Sequence, residues 1–495
     1  RTGPDMNPIP GPILLLALPL LAAGLTLLVR RWALLSTLIS ATTAASLALL
    51  CLRLPLDRSA FVLGQEVAFG RPVAIVGRQL TLDPAGQMWL AFVFGIAAVL
   101  YLLAWRTSPG RSFFFLSLIV LSLYASVVLL QAFPLAVIVL AISATVAILF
   151  LQRADGQSIR GSQRYLIVTV LAVPFLLIAA WLIDESLASP ENAAMLRNAV
   201  LPAILGFALL LAVFPFGTWM PALAKDAPAA VTAFVFTAGQ AMSLYLLLIF
   251  FRWAPLTPGD ATISELLLLG GMVMATSGGI MAAVQEDLGR LFGYASLSSL
   301  GILIMALPSS GTQSLELAMM HGISRSVSIT LFAASLATIR LQAGTDRFTK
   351  LQGMGGTLPI ASFGLILGTL SLAGFPLTAG FATQWAVTRA LWNWAWPLST
   401  AVQGVPLVIG AVQIRQWLWI VALMAIVASS AGIVIGALRG LAAIRGAVDS
   451  SQSSRQPLIA SLMILALIAL NVGLGLYPQL FLEPVQRAAQ AFSAF

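Results

Sequence analysis

Apolar residues along this chain of 495 come in long runs, each closed by a short polar or proline-rich connection. Runs of about 20 apolar residues match a helix that crosses the hydrocarbon core of a bilayer. They fall at 11–29, 32–52, 88–105, 112–131, 133–151, 165–183, 199–220, 229–251, 262–284, 291–307, 315–340, 358–381, 415–438 and 457–477. The pattern predicts an all-α polytopic membrane protein with about 14 transmembrane helices. Runs 112–131 and 133–151 meet at Pro134 with almost no loop, which suits a tight helical hairpin. The first run is longer than the core of a signal peptide and shows no A-x-A pattern, so a retained first span is expected.

Two places break the pattern. Within 214–245, Pro215, Pro221 and Pro228 interrupt the run, with Trp219, Lys225 and Asp226 between them. Within 370–385, Gly374, Pro376 and Gly380 lie inside an apolar run, and Gln384 follows. A proline removes a backbone donor and clashes with the preceding turn. Lipid cannot satisfy the freed carbonyls, so a broken span must be buried in protein or line a wet cavity. The first break also suits a short cytoplasmic loop between two ordinary spans, with Lys225 and Asp226 as an exposed pair. Paired breaks at spans 7 and 12 point to two inverted repeats with binding sites at the breaks. The chain then divides into N-terminal helices (1–111), a first repeat (112–251), a second repeat (262–438) and a C-terminal helix with its tail (439–495).

The connections alternate in charge. One set carries Arg30 and Arg31; Arg106 and Arg111; Arg153, Arg160 and Arg164; Lys225; Arg290; Arg340, Arg347 and Lys350; and Arg439, Arg445 and Arg455. The other set holds the acidic 184–191, the proline-rich 254–260, and 308–313. The basic set is expected on the cytoplasmic side of a bacterial inner membrane, which places both termini on the outer side. The longest outer connection, 53–87, alternates like two short strands and predicts a small hairpin around Gly70. Trp392, Trp394, Trp396, Trp417 and Trp419 read as an interfacial aromatic belt.

Composition narrows the chemistry. The chain is 60% hydrophobic and 9% charged, against about 25% charged for a soluble domain. Its single cysteine, Cys51, excludes an internal disulfide and any cysteine-based metal or iron–sulfur site. Its single histidine, His321, leaves no cluster for haem or zinc. No phosphate-cradling glycine motif is present. The net charge of +9 sits mostly in short loops and does not indicate a nucleic-acid partner.

Several ordered motifs carry a resemblance. PFGTWMPALAKDAP (215–228) is similar to the PFHxWLPDAHxxAP motif of the antiporter-like, M-type membrane subunits of respiratory complex I, a family shared with Mrp-type cation/proton antiporters and membrane-bound hydrogenases. QEDLGRLFGYASLSSLG (285–301) resembles QTDLKRLIAYSSVSHMG, and HGIS (321–324) resembles HGLS. LSLAGFPLTAGF (370–381) resembles LxLAGxPPLSGF of the broken twelfth helix, and GMGG (353–356) stands at the family's GGL turn. The tail after the last run is too short for the lateral helix of L-type subunits. The resemblance implies fourteen helices with two inverted five-helix repeats and a role in proton translocation. It implies no redox centre in this chain. NADH, FMN, iron–sulfur clusters and quinone are then expected in partner subunits. The implied partners are the lipid bilayer and other membrane-arm subunits, antiporter-like neighbours among them.

The family positions that carry protons fall on neutral residues here. The fifth-helix glutamate falls on Ile142, beside Ser143. The lysine before the first break falls on Leu210, and the next lysine falls on Ala241, beside Gln240. The DLKR lysine falls on Gly289, and the charge after the second break falls on Gln384. The histidine of PFHxW falls on Gly217, its DAH tripeptide on Ala222, Leu223 and Ala224, and the histidine of YSSVSH on Ser299. Neutral side chains do not titrate near pH 7, so a lysine–glutamate switch is not expected in the first half. What remains is His321 and Arg325, four residues apart on one helix face, with Ser324, Ser328, Gln240 and Gln384 as further members of a residual proton path. Glu316 and the hydroxyls of Ser324, Ser326, Ser328 and Thr330 are the expected partners of Arg325. The same residues also suit a polar seam between helices. The expectation is a degenerate, non-pumping or weakly conducting copy of a complex I membrane subunit; the alternative is a subunit of an Mrp-type antiporter.

Overall fold

Runs this apolar have no water to pair their backbones at membrane depth, so they close their hydrogen bonds internally as helices. A computed structural model describes residues 9–53, 55–56, 60–62, 65–75, 77–107, 109–151, 159–188, 193–254, 261–308, 312–395, 409–445 and 457–493. α1 (Gly11–Leu28), α2 (Ala33–Arg53) and α3 (Pro84–Thr107) precede a tight pair, α4 (Phe113–Leu129) and α5 (Phe133–Leu151). α6 (Arg160–Ala188) and α7 (Ala193–Leu210) come next, then α8 (Trp219–Asp226), α9 (Ala229–Phe234) and α10 (Gln240–Trp253). The second half holds α11 (Ala261–Ala283), α12 (Leu288–Met305), α13 (Thr312–Ala343), the one-turn α14 (Met354–Thr357), α15 (Pro359–Leu372) and α16 (Ala379–Ala395). α17 (Ile409–Ile444), α18 (Leu458–Leu476) and α19 (Leu482–Ser493) complete it. Among the described residues, eleven helices are long and apolar enough to cross a membrane, accompanied by three shorter apolar helices, Phe113–Leu129, Met195–Leu210 and Pro359–Leu372. Arg153, Arg455, Trp396 and most of 254–260 lie outside the described residues.

Both expected breaks are present, and each divides its run more sharply than hydropathy shows. The run 199–220 stops being helical at Leu210. Ala212 then takes a left-handed φ of 61°, the Phe214–Pro215 peptide is cis, and one 3-10 turn (Phe216–Thr218) leads into α8. Pro228 caps α9, and Val235–Gly239 widens into a π-helical turn before α10. The run 358–381 is in fact two helices. α15 ends at Leu372, Gly374 and Leu377 take φ of 71° and 70°, and α16 continues to Ala395. Gln384 and Arg389 end the apolar run there without ending the helix.

Two other expectations change. Instead of one hairpin around Gly70 there are two, one on either side. β2 (Ala60–Val62) pairs antiparallel with β3 (Gln65–Ala68), to which β1 (Ile9–Pro10) adds in parallel. β4 (Val73–Ile75) pairs with β5 (Arg78–Leu80) through a turn in which Gly77 has a φ of 72°. The tail after α18 is not an extension: it folds as the amphipathic α19, burying Val485, Ala488, Ala489 and Phe492 while Glu483 and Arg487 pair on its exposed face. Phe492 lies 5.7 Å from the Trp89 ring and 5.9 Å from the Tyr245 ring, and Arg252 stands over it.

Small residues set the tightest helix contacts. A Cβ at Gly279 of α11 would meet the Ser429 backbone, and one at Gly432 of α17 would meet the Gly279 carbonyl. The two helices therefore touch backbone to backbone, as membrane helices do where lipid gives no hydrophobic drive to associate. The outer faces carry exposed apolar residues such as Leu21, Ile167, Trp181 and Val427.

Candidate functional site

The ionisable residues define the site by their scarcity. Among the described Asp, Glu, Lys, Arg and His residues, only Asp287, His321 and Arg325 are buried. His321 and Arg325 sit on successive turns of α13.

His321 joins three helices. Its Nε2 lies 3.1 Å from the Ser299 carbonyl and 3.3 Å from the Ser299 hydroxyl on α12. Its Nδ1 lies 3.0 Å from the Thr383 hydroxyl on α16. A neutral ring fits this set, with Nε2–H donating to the carbonyl and Nδ1 accepting from threonine.

Arg325 turns the other way, toward the first break. Nη1 donates to the Phe236 carbonyl at 2.7 Å and Nη2 to the Ser296 carbonyl at 3.2 Å. Phe236 lies in the π-helical turn, where wider winding loosens the carbonyls from their usual donors. Glu316 is not its partner, and neither are the α13 hydroxyls. Glu316 stands more than two turns back along α13, while the guanidinium reaches across to the neighbouring helices. Ser326, Ser328 and Thr330 each donate to the carbonyl four residues earlier on their own helix. Ser324 is buried beside them, its carbonyl accepting from Ser328.

Ser328 belongs to a separate node at the second break. Its hydroxyl lies 2.7 Å from that of Ser371, and Asn471 Nδ2 donates to both, at 3.2 and 3.0 Å. Asn471 Oδ1 accepts from the Ala379 N–H at 3.4 Å, and Ser371 Oγ accepts from the Gly380 N–H at 3.3 Å. The break thus leaves the first N–H groups of α16 open, and these two side chains fill them. Asn471 and Ser371 were not legible as site residues; the only signal for Asn471 is a lone amide in the apolar run 457–477.

Gln384 does not join this node. Its Nε2 donates to Ser430 on α17 at 2.9 Å, and its amide folds over Gly374, where no Cβ fits. Gln240 is buried in α10, with its Oε1 among the orphaned polar atoms of the described residues.

The neutral family positions have distinct surroundings. Ile142 points outward, 47% exposed, and its neighbour Ser143 is the buried one. Leu210 and Ala241 are buried, and the Ala241 carbonyl accepts from Trp89 Nε1 at 3.1 Å. Gly289 faces Arg340, whose guanidinium donates to the Ala224, Lys225 and Ala227 carbonyls and pairs with Asp346 at 2.5 Å. Arg340 therefore caps the C-terminal end of α8. A Cβ at Gly289 would fall on the Arg340 guanidinium, 2.8 Å from the Ala224 carbonyl and 2.9 Å from Asp346 Oδ2.

Lys225 and Asp226 do not form a surface pair. Lys225 reaches Asp287 at 3.9 Å, and Asp226 accepts from the Gly161 N–H at 3.0 Å, bringing α8 against the start of α6. Asp287 caps α12 by accepting from the Arg290 N–H at 2.7 Å. Burial raises its carboxyl above the ordinary value of 3.8, against the Arg290 N–H and the Arg290 and Lys225 charges. Trp219 is buried against Tyr165, with rings 4.9 Å apart. Pro221 packs under Gly293, and Pro215 is exposed.

Aromatic rings occupy the interior between the breaks. Trp219 contacts Phe236, Phe236 contacts Phe292 at 5.5 Å, and Phe292 stacks on Phe332 at 4.7 Å. The arrangement binds helices through hydrogen bonds and ring contacts, with the Arg325 cation inside. Among the described residues no three His, Cys, Asp or Glu side chains gather as a metal site.

Comparison with known proteins agrees with the motifs. The chain is 28% identical over 338 residues to NADH-quinone oxidoreductase subunit N of Desulforudis audaxviator (strain MP104C), covering 62% of this chain and 66% of that protein, just under two thirds of its length. In fold it resembles a chain of the membrane-bound sulfane sulfur reductase, an archaeal respiratory membrane complex, with a TM-score of 0.77 at 17% identity and 97% of each chain covered. It likewise resembles a chain of the Mrp complex from Dietzia sp. DQ12-45-1b, with a TM-score of 0.73 at 18% identity, covering 97% of this chain and 96% of that one. Residues 86–410 match the family described as NADH:quinone oxidoreductase/Mrp antiporter, TM, and the chain belongs to that family.

Proposed function

We propose that this chain is a membrane-arm subunit of a complex I-type NADH:quinone oxidoreductase, and that it is a degenerate copy which maintains the arm without pumping through a lysine–glutamate switch. The observation that carries the reading is the neutral interior of the first half. Among the described residues, α4, α5, α7, α9 and α10 bury no Asp, Glu, Lys, Arg or His, and Leu210 and Ala241 stand where the family resemblance calls for lysines. A proton path needs groups that titrate or water that is continuous; serine, threonine and packed rings supply neither.

The reading includes fourteen spans in two inverted five-helix repeats, 112–251 and 262–438, broken at spans seven and twelve. The left-handed residues at both breaks, Ala212 in one and Leu377 in the other, support that correspondence. It also includes a bacterial inner membrane with both termini on the outer side, antiporter-like neighbours, and NADH, FMN, iron–sulfur clusters and quinone in other subunits. The residual polar groups are His321, Arg325, Ser324, Ser328, Gln240 and Gln384; in this reading they serve as an interhelical seam. The likeness to an Mrp complex chain favours a second reading, a subunit of an Mrp-type cation/proton antiporter.

The test is the proton-to-electron ratio of the purified complex in vesicles, with Ala241→Leu as the variant. An unchanged ratio supports the non-pumping copy, and a ratio lowered by a whole translocation step overturns it. Co-purified flavin and iron–sulfur subunits support the first reading, and small Mrp-type subunits the second.

A further inference from the structure

Arg325 is a cation in the interior, and no described carboxylate answers it. The residue is 4% exposed. Its guanidinium donates to backbone carbonyls of two different segments, Phe236 in the π-helical turn and Ser296 on α12. Three buried polar atoms associated with it have no partner among the described residues. They are Arg325 Nε, the hydroxyl of Ser296, whose carbonyl holds the guanidinium, and Oε1 of Gln240, one turn beyond Phe236. Orphaned polar atoms in such a cluster mark a place where water enters.

Water there would continue a polar column. One turn before Arg325 on α13, His321 reaches Ser299 on α12 and Thr383 on α16. Arg325 thus ties the first broken span, one turn before Gln240, to Ser296 on α12, and His321 ties Ser299, one turn further along α12, to Thr383 just past the second break. A column of neutral polar groups holding water conducts protons unless something opposes them. A guanidinium keeps its charge across the physiological range, so it does not relay protons by releasing its own. A fixed positive charge in a narrow polar passage repels hydronium and metal cations.

We propose that Arg325 is a fixed positive barrier that keeps protons and other cations from crossing between the two broken spans. The proposal rests on the reading of the chain as a non-pumping copy and deepens it. It explains why a subunit that lacks the family's titrating residues would keep a buried arginine: an unpumped passage in a coupling membrane must also not leak. The two carbonyl bonds hold the charge in place from both sides of the passage.

The test uses the whole complex reconstituted in vesicles, with passive proton entry measured under an imposed pH gradient and turnover blocked. Arg325→Gln keeps a polar, donating side chain and removes the charge. Passive conductance is expected to rise by on the order of tenfold, the factor that about 1.4 kcal/mol of lost repulsion gives. Arg325→Lys keeps the charge and is expected to remain as tight as the wild type. Equal conductance in an assembled Arg325→Gln complex overturns the barrier while leaving the non-pumping reading intact. A lowered proton-to-electron ratio in Arg325→Gln, with no added leak, overturns both. If Arg325→Gln does not assemble, Gln240→Glu offers a compensating negative charge from α10. It is expected to raise the leak, and an unchanged leak in that variant overturns the barrier.

Discussion

Gly289 shows why a lost lysine is not simply a vacancy. Its Cα sits under the Arg340 guanidinium, which has taken over the carbonyls at the end of α8. Restoring lysine there would displace that cap rather than rebuild a proton carrier. Gly289→Ala is expected to cost about 1–3 kcal/mol through overpacking, read as a lower melting temperature of the purified complex, and Gly289→Lys is expected to lower assembly without raising the proton-to-electron ratio. Asn471 makes the converse case, a polar residue whose loss strands a backbone donor. Asn471→Leu leaves the Ala379 N–H without its partner, at about 1–3 kcal/mol for a buried group left unsatisfied, while Ser328 and Ser371 keep each other. Thermal unfolding in detergent checks it; a melting temperature within error of the wild type would contradict the node. Asp287 gives a pH signature. Its carboxyl is raised in the fold, so protonation favours the folded state: that contribution is complete below the ordinary value of 3.8 and is lost as pH rises through the raised one. Asp287→Asn keeps a capping oxygen without the titration, and its stability is expected to vary less with pH on the acid side than the wild type's, measured by melting temperature across that range.

At the scale of elements, proline and glycine announced the two breaks because their effect is local: a missing donor or a left-handed backbone acts on its own turn. The helix beyond a break was less legible. α16 carries Gln384, Arg389 and Asn393, which read as the end of a span when only hydropathy is weighed, yet the helix runs on to Ala395; its start is fixed by Ser371 and Asn471, which cap its first N–H groups. The Asn471 cap comes from far away in sequence, and no spacing rule reaches it. α19 escaped for another reason: it is too short and too mixed in character to read as a span, and its apolar stripe has meaning only against α13 and α3, with Trp89 and Tyr245 among its ring partners. Phe492→Ala is expected to free this helix at a cost of about 3 kcal/mol, the lower end for a buried phenylalanine. Hydrogen exchange should then rise across 482–493 and stay unchanged in α11 and α12, which α19 does not pack on; exchange as slow as in the wild type would show that α19 is held by something else.

Over the whole molecule, the family and the helical membrane fold were legible because they depend on run length and ordered motifs. The neutrality of the first half was legible too, since a run without a charge stays without one however it folds. The partners of the charges that remain were not. Arg325 meets Phe236 and Ser296, and Arg340 meets Ala224 and Asp346; only the last is near in sequence, and several of the acceptors are backbone carbonyls, which every residue possesses. Phe492 packs against Trp89 of α3 and Tyr245 of α10, whose rings also meet each other at 5.6 Å, beside the Arg252–Asp83 pair at 2.8 Å. The ribosome delivers those two rings long before it delivers the third. The three-ring contact is therefore completed only after both helices it braces have been made.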